Sequence, residues 1–349
     1  MPDRRASSPG SRVAQVRVHF WTADEAGSGF YRGNLPGMSL QWLGHIVSGG
    51  MRLPDDWPQL DTLVGCRVAK PDPSKAWRAM KDHGIRLVLD LDDDYFHLDP
   101  ANAEACRVWD KAMVQRLVDN MALADLVTCC SEPLAEVLRD YAQDVRVIPN
   151  GLPAQYLGEI RDYNPEVLSV GWAGSSSTVN ELPEAVRALN RIAEYPRPGG
   201  VMVRLVGISA QHATSLGLRG QRIGALGWVA RQEHYLQAVA EWDIWVAPYR
   251  DIPFNRSKFP TKFLEASILG IPLIASDIEP YRRVIRHGEN GFLVKREHEW
   301  SRYLKQLVDD PALRQQIGMN ARAEASGSIL QAVNRLWEQA VTAPAEVAA

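Results

Sequence analysis

Cysteine is scarce in this sequence, which has only four among 349 residues. Cys66, Cys106 and the adjacent Cys129 and Cys130 never form the CxxC spacing of zinc ribbons and dithiol redox sites. Their number and spacing exclude a disulfide-stapled scaffold and favour reduced thiols, which are typical of cytoplasmic proteins. We therefore expect a cytoplasmic protein whose fold depends on a hydrophobic core.

Long hydrophobic runs and a strong charge excess are also absent. No stretch provides the ~20 uninterrupted apolar residues of a membrane-spanning helix, and no signal peptide is visible after the basic first residues. The 39 Lys and Arg residues nearly balance the 42 Asp and Glu residues, for a net charge of −3. Dedicated nucleic-acid-binding proteins need a surplus of basic residues, so we expect a nucleic acid at most as a substrate. The GxSxG, HExxH and Walker A motifs are missing as well.

The chain does contain a regular alternation of short apolar runs and longer amphipathic stretches. Runs such as RLVLDL and DIWVAP are almost continuously apolar, as expected of parallel strands that are buried on both faces. The alternation stops in residues 149–165, which contain three prolines, and then restarts. The pattern predicts an α/β protein with two doubly wound Rossmann-like domains that face a central cleft, followed by C-terminal helices.

We place the domain boundaries where this pattern changes. The first domain covers residues 12–150, the linker covers 151–165, and the second domain covers 166–325. We expect a C-terminal helix at 326–341 to pack back on the first domain. The termini at 1–11 and 342–349 are rich in small and polar residues, and we expect them to be disordered.

The segment from residue 243 to residue 276 is the most informative part of the second half. A loop with a local charge of +3, from Tyr249 to Lys262, leads into a helix. Helix N-termini favour anions, and Lys258 and Lys262 add cations, so this loop fits a diphosphate. Lys262 and Glu265 share a helix face, which puts a carboxylate for vicinal hydroxyls beside a cation for phosphate. A solvated basic loop with a local ion pair would explain the same charges.

The run KFPTKFLEASILGIPLIASDIEPYRRVIRHGENGFLV, with the helical LVDDPALRQQIGMNARAEA after it, resembles the carboxy-terminal domain of retaining GT-B glycosyltransferases of the GT4 family. In that family an E-x7-E motif opens the corresponding helix. Its second Glu binds the donor ribose, and nearby basic residues hold the diphosphate. Glu265 matches the second Glu, whereas Ser257 stands at the first position, where Asn255 or Ser257 would substitute in contacting the donor sugar.

The resemblance implies a GT-B fold, a nucleotide-diphosphate-sugar donor and no required cofactor. It also implies that Lys258, Lys262 and Glu265 form the catalytic group. The loop after the first strand of the second domain, with Gly171, Gly174 and Ser175, faces the donor phosphate in similar enzymes. An ordinary strand-to-helix turn would look the same.

Val229 lies where related enzymes hold the nucleotide base, largely through backbone contacts. The neighbouring Trp228 has a simpler explanation as a buried structural residue. We include Val229 among the donor-binding candidates.

Two segments of the first half are candidates for binding the acceptor or the sugar. Gly29 and Arg32 follow the first strand in a glycine-rich segment, similar to the first loop of GT-B amino-terminal domains. Arg32 would meet a phosphate or an acidic acceptor there, unless the segment is a plain surface turn. In the cluster DLDDD, whose carboxylates repel one another, we assign Asp92 and Asp93 to substrate hydroxyls. Mg²⁺ binding is the less favoured alternative, and we predict no metal site.

These features predict transfer of a hexose-type unit from a nucleotide sugar to a hydroxyl acceptor of unknown type. The GT4 likeness implies retention of configuration by a front-face mechanism, in which Lys258 and Lys262 stabilise the departing diphosphate. Three alternatives stay open. They are an epimerase or inverting transferase of the same fold, a catalytically impaired nucleotide-sugar-binding protein, and a glycosyltransferase that acts on modified DNA or on a protein.

Overall fold

Two α/β domains account for nearly all of the chain in the computed structural model, which describes residues 14–25, 27–157, 161–175, 178–325, 327 and 329–342. The segments 1–11 and 343–349, for which we expected disorder, lie outside the described residues. All four cysteines are free thiols. In the described part of the chain, we find no helix that is both long enough and apolar enough to cross a membrane.

The first domain contains a sheet of six strands, which are β1 (Arg17–Trp21), β2 (Ile46–Gly50), β3 (Thr62–Cys66), β4 (Arg86–Leu91), β5 (Leu126–Cys129) and β6 (Val145–Val147). The strands are all parallel and lie in the order β2-β1-β3-β4-β5-β6. The helices of this domain are α1 (Gly27–Gly29), α2 (Leu35–Trp42), α3 (Pro71–Asp82), α4 (Ala103–Val108), α5 (Lys111–Leu123) and α6 (Glu132–Leu138). A π-helical turn at Phe30–Asn34 joins α1 to α2.

The second domain repeats the arrangement with β7 (Leu168–Ala173), β8 (Val201–Val206), β9 (Ile223–Leu226), β10 (Ile244–Ala247), β11 (Leu273–Ser276) and β12 (Phe292–Val294). These strands are also parallel, in the order β12-β11-β10-β7-β8-β9. The helices are α7 (Pro183–Ala193), α8 (Ala210–Ser215), α9 (Gln232–Ala240), α10 (Pro253–Arg256), α11 (Thr261–Ile268), α12 (Glu279–Arg282), α13 (Glu297–Asp309) and α14 (Pro311–Ala325). The predicted fold, two doubly wound domains, is confirmed.

The helix α15 (Leu330–Thr342) belongs spatially to the first domain. The ring of Trp337 lies 5.7 Å from that of Phe20 in β1, and both side chains are about 1% exposed. The hydroxyl of Thr62 in β3 donates to the carbonyl of Val341 at 2.8 Å. The first domain therefore takes part of its hydrophobic core from a segment that follows the whole second domain.

Local signals explain where the elements differ from the sequence pattern. The amphipathic residues 38–48 predict a helix, but α2 ends at Trp42, because Gly44 turns the chain with a φ of 92°, and the edge strand β2 follows. The amphipathic residues 101–123 likewise predict one helix, which the structure divides into α4 and α5. The side chain of Asp110 accepts from the amide of Met113 at 2.8 Å and so caps a new helix, α5.

Candidate functional site

A cavity of about 260 Å³ lies between the two domains, at the carboxyl ends of both sheets. In open α/β sheets ligands bind beyond these ends, because the loops and helix N-termini converge there. Nine of the thirteen candidate residues line the cavity, namely Arg32, Asp92, Asp93, Gly174, Ser175, Val229, Lys258, Lys262 and Glu265. The two halves of the sequence thus supply one shared site.

Glu265 is the most enclosed carboxylate of the cavity, at 3% exposure. Its Oε1 accepts from the hydroxyl of Tyr31 at 2.6 Å and from the amide of Gln232 at 3.3 Å. The hydroxyl of Tyr235 donates to its Oε2 at 2.9 Å. Burial raises the pKa of Glu265, although these three donors and Lys262 oppose the shift. Tyr31 comes from the first domain, so this hydrogen bond crosses the cleft.

Lys262 lies one helical turn before Glu265 on α11 and points into the same cavity. Its ammonium donates to the hydroxyl of Tyr249 at 2.9 Å and sits 5.3 Å from the centre of that ring. A phenol is a weak partner for an ammonium compared with a carboxylate or phosphate oxygen. The arrangement therefore presents a cation to the cavity at the start of a helix.

Lys258 bridges the two domains. Its ammonium lies 2.6 Å from Oδ1 of Asp93 and 4.2 Å from the ring centre of Phe254. Burial by itself lowers the pKa of Lys258, but the nearby carboxylate of Asp93 opposes this effect, and the pKa of Lys258 is raised overall. Lys258 is therefore ionised at neutral pH and holds the loop after β4 against the second domain.

The four carboxylates of the DLDDD cluster have separate partners. Asp90 binds the guanidinium of Arg32, and Asp94 accepts from the backbone amides of Phe96 and His97. Asp90 and Asp94 are both 1% exposed, whereas Asp92 and Asp93 face the cavity. Among the described residues, no three His, Cys, Asp or Glu side chains are placed to hold a metal ion.

Asp92 is held by two groups of the first domain. It accepts from the hydroxyl of Tyr95 at 2.9 Å, and its Oδ1 lies 3.8 Å from Nε of Arg67. Although burial opposes the charge, the guanidinium of Arg67 and this hydrogen bond hold the pKa of Asp92 below its usual value. Asp92 is therefore an ionised acceptor at the edge of the cavity.

The glycines of the loop after β7 allow close packing at the cavity. The amide of Gly174 donates to the carbonyl of Val206 at 3.0 Å, and a Cβ on Gly174 would lie 2.4 Å from the ring of Trp172. Ser175 continues this loop along the cavity wall. Val229 also lines the cavity, beside Trp228, whose side chain is 59% exposed rather than buried as we expected.

Arg32 has a different role from the predicted contact with a phosphate or acidic acceptor. Its guanidinium is 1% exposed and donates to both oxygens of Asp90, at 2.7 and 2.9 Å. It also donates to the carbonyl of Ile148 at 2.6 Å and to the side chain of Asn150 at 3.0 Å. Because these partners occupy the guanidinium, Arg32 fixes the floor of the cavity instead of offering a free cation.

Four candidates lie outside the cavity lining. A Cβ on Gly171 would lie 1.8 Å from the ring of Trp242, and one on Gly29 would lie 1.9 Å from the carbonyl of Asp24, so both glycines serve close packing. The Asn255 amide donates to the side chain of Glu181 at 3.0 Å and to the Arg250 carbonyl at 2.9 Å. These contacts explain the residue types without a donor ligand.

Ser257, at the position of the first Glu of the motif, faces the domain interface. Its hydroxyl lies 3.3 Å from both Oδ2 of Asp94 and the carbonyl of Pro253. Its carbonyl accepts from the hydroxyl of Ser131 at 2.5 Å. Ser257 therefore links the two domains behind the cavity.

Sequence reasoning missed the residues that reach the site through tertiary packing. Tyr31, Gln232, Tyr235 and Tyr249 surround Glu265 and Lys262, but no local motif marks them. Arg67 stands out only in the structure, by its backbone conformation. Among the described residues it is the one non-glycine residue with a positive φ, at 54°.

Comparisons with known proteins agree with this architecture. The family model of glycosyl transferases group 1 matches residues 211–324. The D-inositol 3-phosphate glycosyltransferase of Pseudarthrobacter chlorophenolicus is 34% identical over 79 residues, which cover 22% of this chain. The matched segment spans only about a fifth of that relative, 19% of its length.

Solved structures match over almost the whole chain. Anabaena HepE, crystallised with UDP and glucose, has a TM-score of 0.69 and 18% identity over 95% of this chain and 100% of its own. Sucrose-phosphate synthase from Thermosynechococcus elongatus has a TM-score of 0.68 and 16% identity over 93% of this chain and 98% of its own. The GT-B fold and the resemblance to glycosyltransferases are confirmed.

Proposed function

We propose that this chain is a glycosyltransferase that moves a hexose-type unit from a nucleotide-diphosphate sugar to a hydroxyl group. The observation that carries the proposal is the placement of Lys258, Lys262 and Glu265 in one cavity between two doubly wound domains. This is the arrangement that a diphosphate leaving group and a ribose require. The match to glycosyl transferases group 1 in the second domain supports the same activity.

The donor enters the second-domain side of the cavity in this proposal. Lys262 binds the diphosphate beside the loop at Gly174 and Ser175, and Glu265 accepts hydrogen bonds from the ribose hydroxyls. The base lies against Val229. A UDP-sugar is the first donor to test, since HepE was crystallised with UDP-glucose.

The reaction retains the configuration of the anomeric carbon. The bond between that carbon and the diphosphate oxygen breaks, and the acceptor oxygen attacks from the same face. The acceptor proton passes to the departing phosphate oxygen as the new glycosidic bond forms. Lys262 stabilises the charge that develops on this oxygen, so catalysis depends on electrostatics and positioning more than on a protein base.

Lys258 changes its partner when the donor binds. Asp93 holds its ammonium at 2.6 Å, and the diphosphate of the donor competes for the same cation. Exchange of Asp93 for phosphate frees this carboxylate for a substrate hydroxyl. The reaction uses no metal, so turnover is expected to persist in EDTA.

Ser257 favours one alternative function, that of a nucleotide-sugar-binding protein with impaired catalysis. Its side chain faces the domain interface and is 4% exposed, so it does not replace the contact that the first Glu of the motif makes to the donor sugar. Binding without turnover would follow from the loss of this contact.

Calorimetry and product analysis separate these functions. We expect the chain to bind one among UDP, GDP, ADP and dTDP, and to release sugar from the corresponding donor. The configuration of the transferred sugar, read by NMR, is expected to match that of the donor. Inverted product would contradict retention, binding without any release of sugar would favour the impaired protein, and absence of nucleotide binding would contradict the proposal. An electrophoretic mobility shift with DNA, or transfer of the sugar to a protein, would identify a macromolecular acceptor.

A further inference from the structure

A second and wider cavity opens beside the donor cavity. Its volume is about 980 Å³, and it shares Ser28, Asp92, Asp93 and Trp228 with the smaller one. Its remaining walls come from the loops after β1, β2 and β3, from the π-helical turn and α2, from Gln155 and Tyr156, and from the start of α9. A molecule in this space would meet a donor sugar held next to Asp93, so the cavity is where an acceptor would bind.

The charged side chains that line this cavity are predominantly acidic. Its described lining contains five carboxylates, those of Asp24, Glu25, Asp92, Asp93 and Glu233. It contains two guanidiniums, those of Arg67 and Arg231, which leaves a formal charge of −3. The chain as a whole has the same net charge spread over 349 residues, so the density of negative charge is far higher in this cavity.

The cations of the cavity are already bound to carboxylates. Arg67 forms a salt bridge with Asp24, and Arg231 lies 2.8 Å from Glu233. Lys258, at the junction with the donor cavity, is bound to Asp93. An anionic acceptor would have to displace these carboxylates and then remain next to them, at a substantial electrostatic cost.

We propose that the acceptor is a polyhydroxylated compound that bears a protonated amine, such as an amino sugar or aminocyclitol, and no phosphate or carboxylate. This inference rests on the proposed glycosyl transfer and specifies the substrate class. The amine meets the carboxylates at Glu25 and Asp92, and the hydroxyl groups face Asp93. The guanidinium of Arg67 keeps the pKa of Asp92 low, so Asp92 stays charged, whereas burial raises the pKa of Asp93.

A second, apolar wall of the cavity fits the carbon skeleton of such a compound. It consists of the apolar side chains of Phe30, Leu35, Met38 and Met51. Met51 is 52% exposed, which leaves an apolar surface that a ring of CH groups can cover. A compound with one apolar face and one cationic, hydroxylated edge matches both walls.

Binding of three matched sugars tests the proposal on the full chain. Glucosamine, glucose and glucose 6-phosphate differ mainly in charge, and their binding is measured by saturation-transfer NMR and calorimetry, with and without saturating UDP. We expect glucosamine to bind most tightly and glucose 6-phosphate to bind at least about tenfold more weakly than glucosamine. This difference in affinity is expected to shrink as salt is added. Equal binding of all three, tighter binding of the phosphate, or binding of none would overturn it.

Charge-neutralising variants show whether the preference for a cationic sugar arises in this cavity or elsewhere on the surface. We expect the double variant Glu25→Gln, Glu233→Gln to lose about threefold or more of the preference for glucosamine over glucose 6-phosphate. Glu194→Gln is the matched control, because this exposed residue follows α7 at the edge of the second sheet away from the cleft. An unchanged preference in the double variant would contradict the site. Failure of the chain to bind UDP would instead contradict the proposed glycosyl transfer, since the sugar ranking is measured separately.

Discussion

The partner of each charged residue decides what that residue does in the cleft. Asp90 and Asp93 are three positions apart in one acidic cluster, yet Asp90 is buried on Arg32 and Asp93 reaches across the cleft to Lys258. The first pair stabilises a domain, whereas the second can be exchanged for a ligand. Residue type alone does not distinguish the two roles, because both residues are aspartates of one cluster that pair with a basic side chain.

Lys262 tests the donor site most directly. We expect Lys262→Ala to weaken UDP binding about 10–100-fold, since a charge-assisted hydrogen bond contributes roughly 1.5–3 kcal/mol. Calorimetry measures this loss, and thermal unfolding is expected to change little because the ammonium only donates to a phenol. The matched control is Lys305→Ala, which removes an exposed lysine 5.7 Å from the ring of Tyr195. Full UDP affinity and full turnover in Lys262→Ala would contradict the assignment of Lys262 to the donor diphosphate.

Glu265 makes donor binding depend on pH. Its carboxylate accepts strong hydrogen bonds at both oxygens only when ionised, and burial raises its pKa, so UDP affinity is expected to fall as the pH drops through this raised value. The loss should begin above the range of an ordinary Glu, which titrates near about 4.3. Calorimetric titrations between about pH 5 and 8 measure it. The same series on Glu265→Gln accounts for protonation of UDP itself, and identical curves would contradict the assignment.

The residues of the site differ in how far the sequence predicts them. Lys262 and Glu265 are adjacent because helical spacing is a local property, and the cavity does bring them together. Tyr31 was missed, because its contact with Glu265 joins residues 234 positions apart. Gly171 and Asn255 were assigned to a ligand from residue type, whereas their closest neighbours are Trp242 and the Glu181–Arg250 network.

At the level of elements, strand β7 depends on a glycine, because there is no room for a side chain at position 171. A Cβ on Gly171 would lie 1.8 Å from Trp242, a fully buried ring that cannot move without displacing its neighbours. We expect Gly171→Ala to destabilise the protein by about 2 kcal/mol or more, measured by urea unfolding. The matched control is Gly224→Ala in strand β9, where a Cβ would meet no atom within 4 Å. Equal stability of the two variants would contradict this account.

Elements with strong periodicity are predictable from the sequence, and short edge elements are not. Buried strands such as β4 and β10 stand out as continuous apolar runs. The edge strand β2, with the sequence IVSGG, lacks such a run and pairs on one side only, so its identity depends on β1 beside it. The two parallel sheets follow from the alternation, whereas the contacts between them do not.

On the scale of the whole molecule, a hydrogen bond from Tyr31 to Glu265 joins the domains at the donor site. Ribose hydroxyls would compete with the phenol for the same carboxylate oxygen. We therefore expect Tyr31→Phe to tighten UDP binding about fivefold, equivalent to roughly 1 kcal/mol. Tyr163→Phe, which removes a phenol that donates to Gly270 at 2.8 Å, is the control away from the cleft. Weaker binding by Tyr31→Phe would show that the phenol orients Glu265 for the donor.

The first domain also depends on α15 for its stability. Trp337 is 1% exposed, and we expect Trp337→Ala to cost about 3–5 kcal/mol in the free energy of unfolding. Trp228→Ala serves as the control, because its side chain is 59% exposed and contributes little to the core. Denaturant unfolding monitored by circular dichroism measures both, and similar losses in the two variants would contradict this dependence.

The return of α15 to the first domain also sets an order of events during biosynthesis. Thr62 and its partner Val341 are 279 residues apart, so at about 5–20 residues per second the ribosome needs tens of seconds between them. The first sheet emerges early but lacks Trp337, while the second domain has all of its strands before α15 is made. The nascent chain thus completes its second domain before its first, which reverses the usual vectorial order and leaves the early apolar surface in need of protection from aggregation.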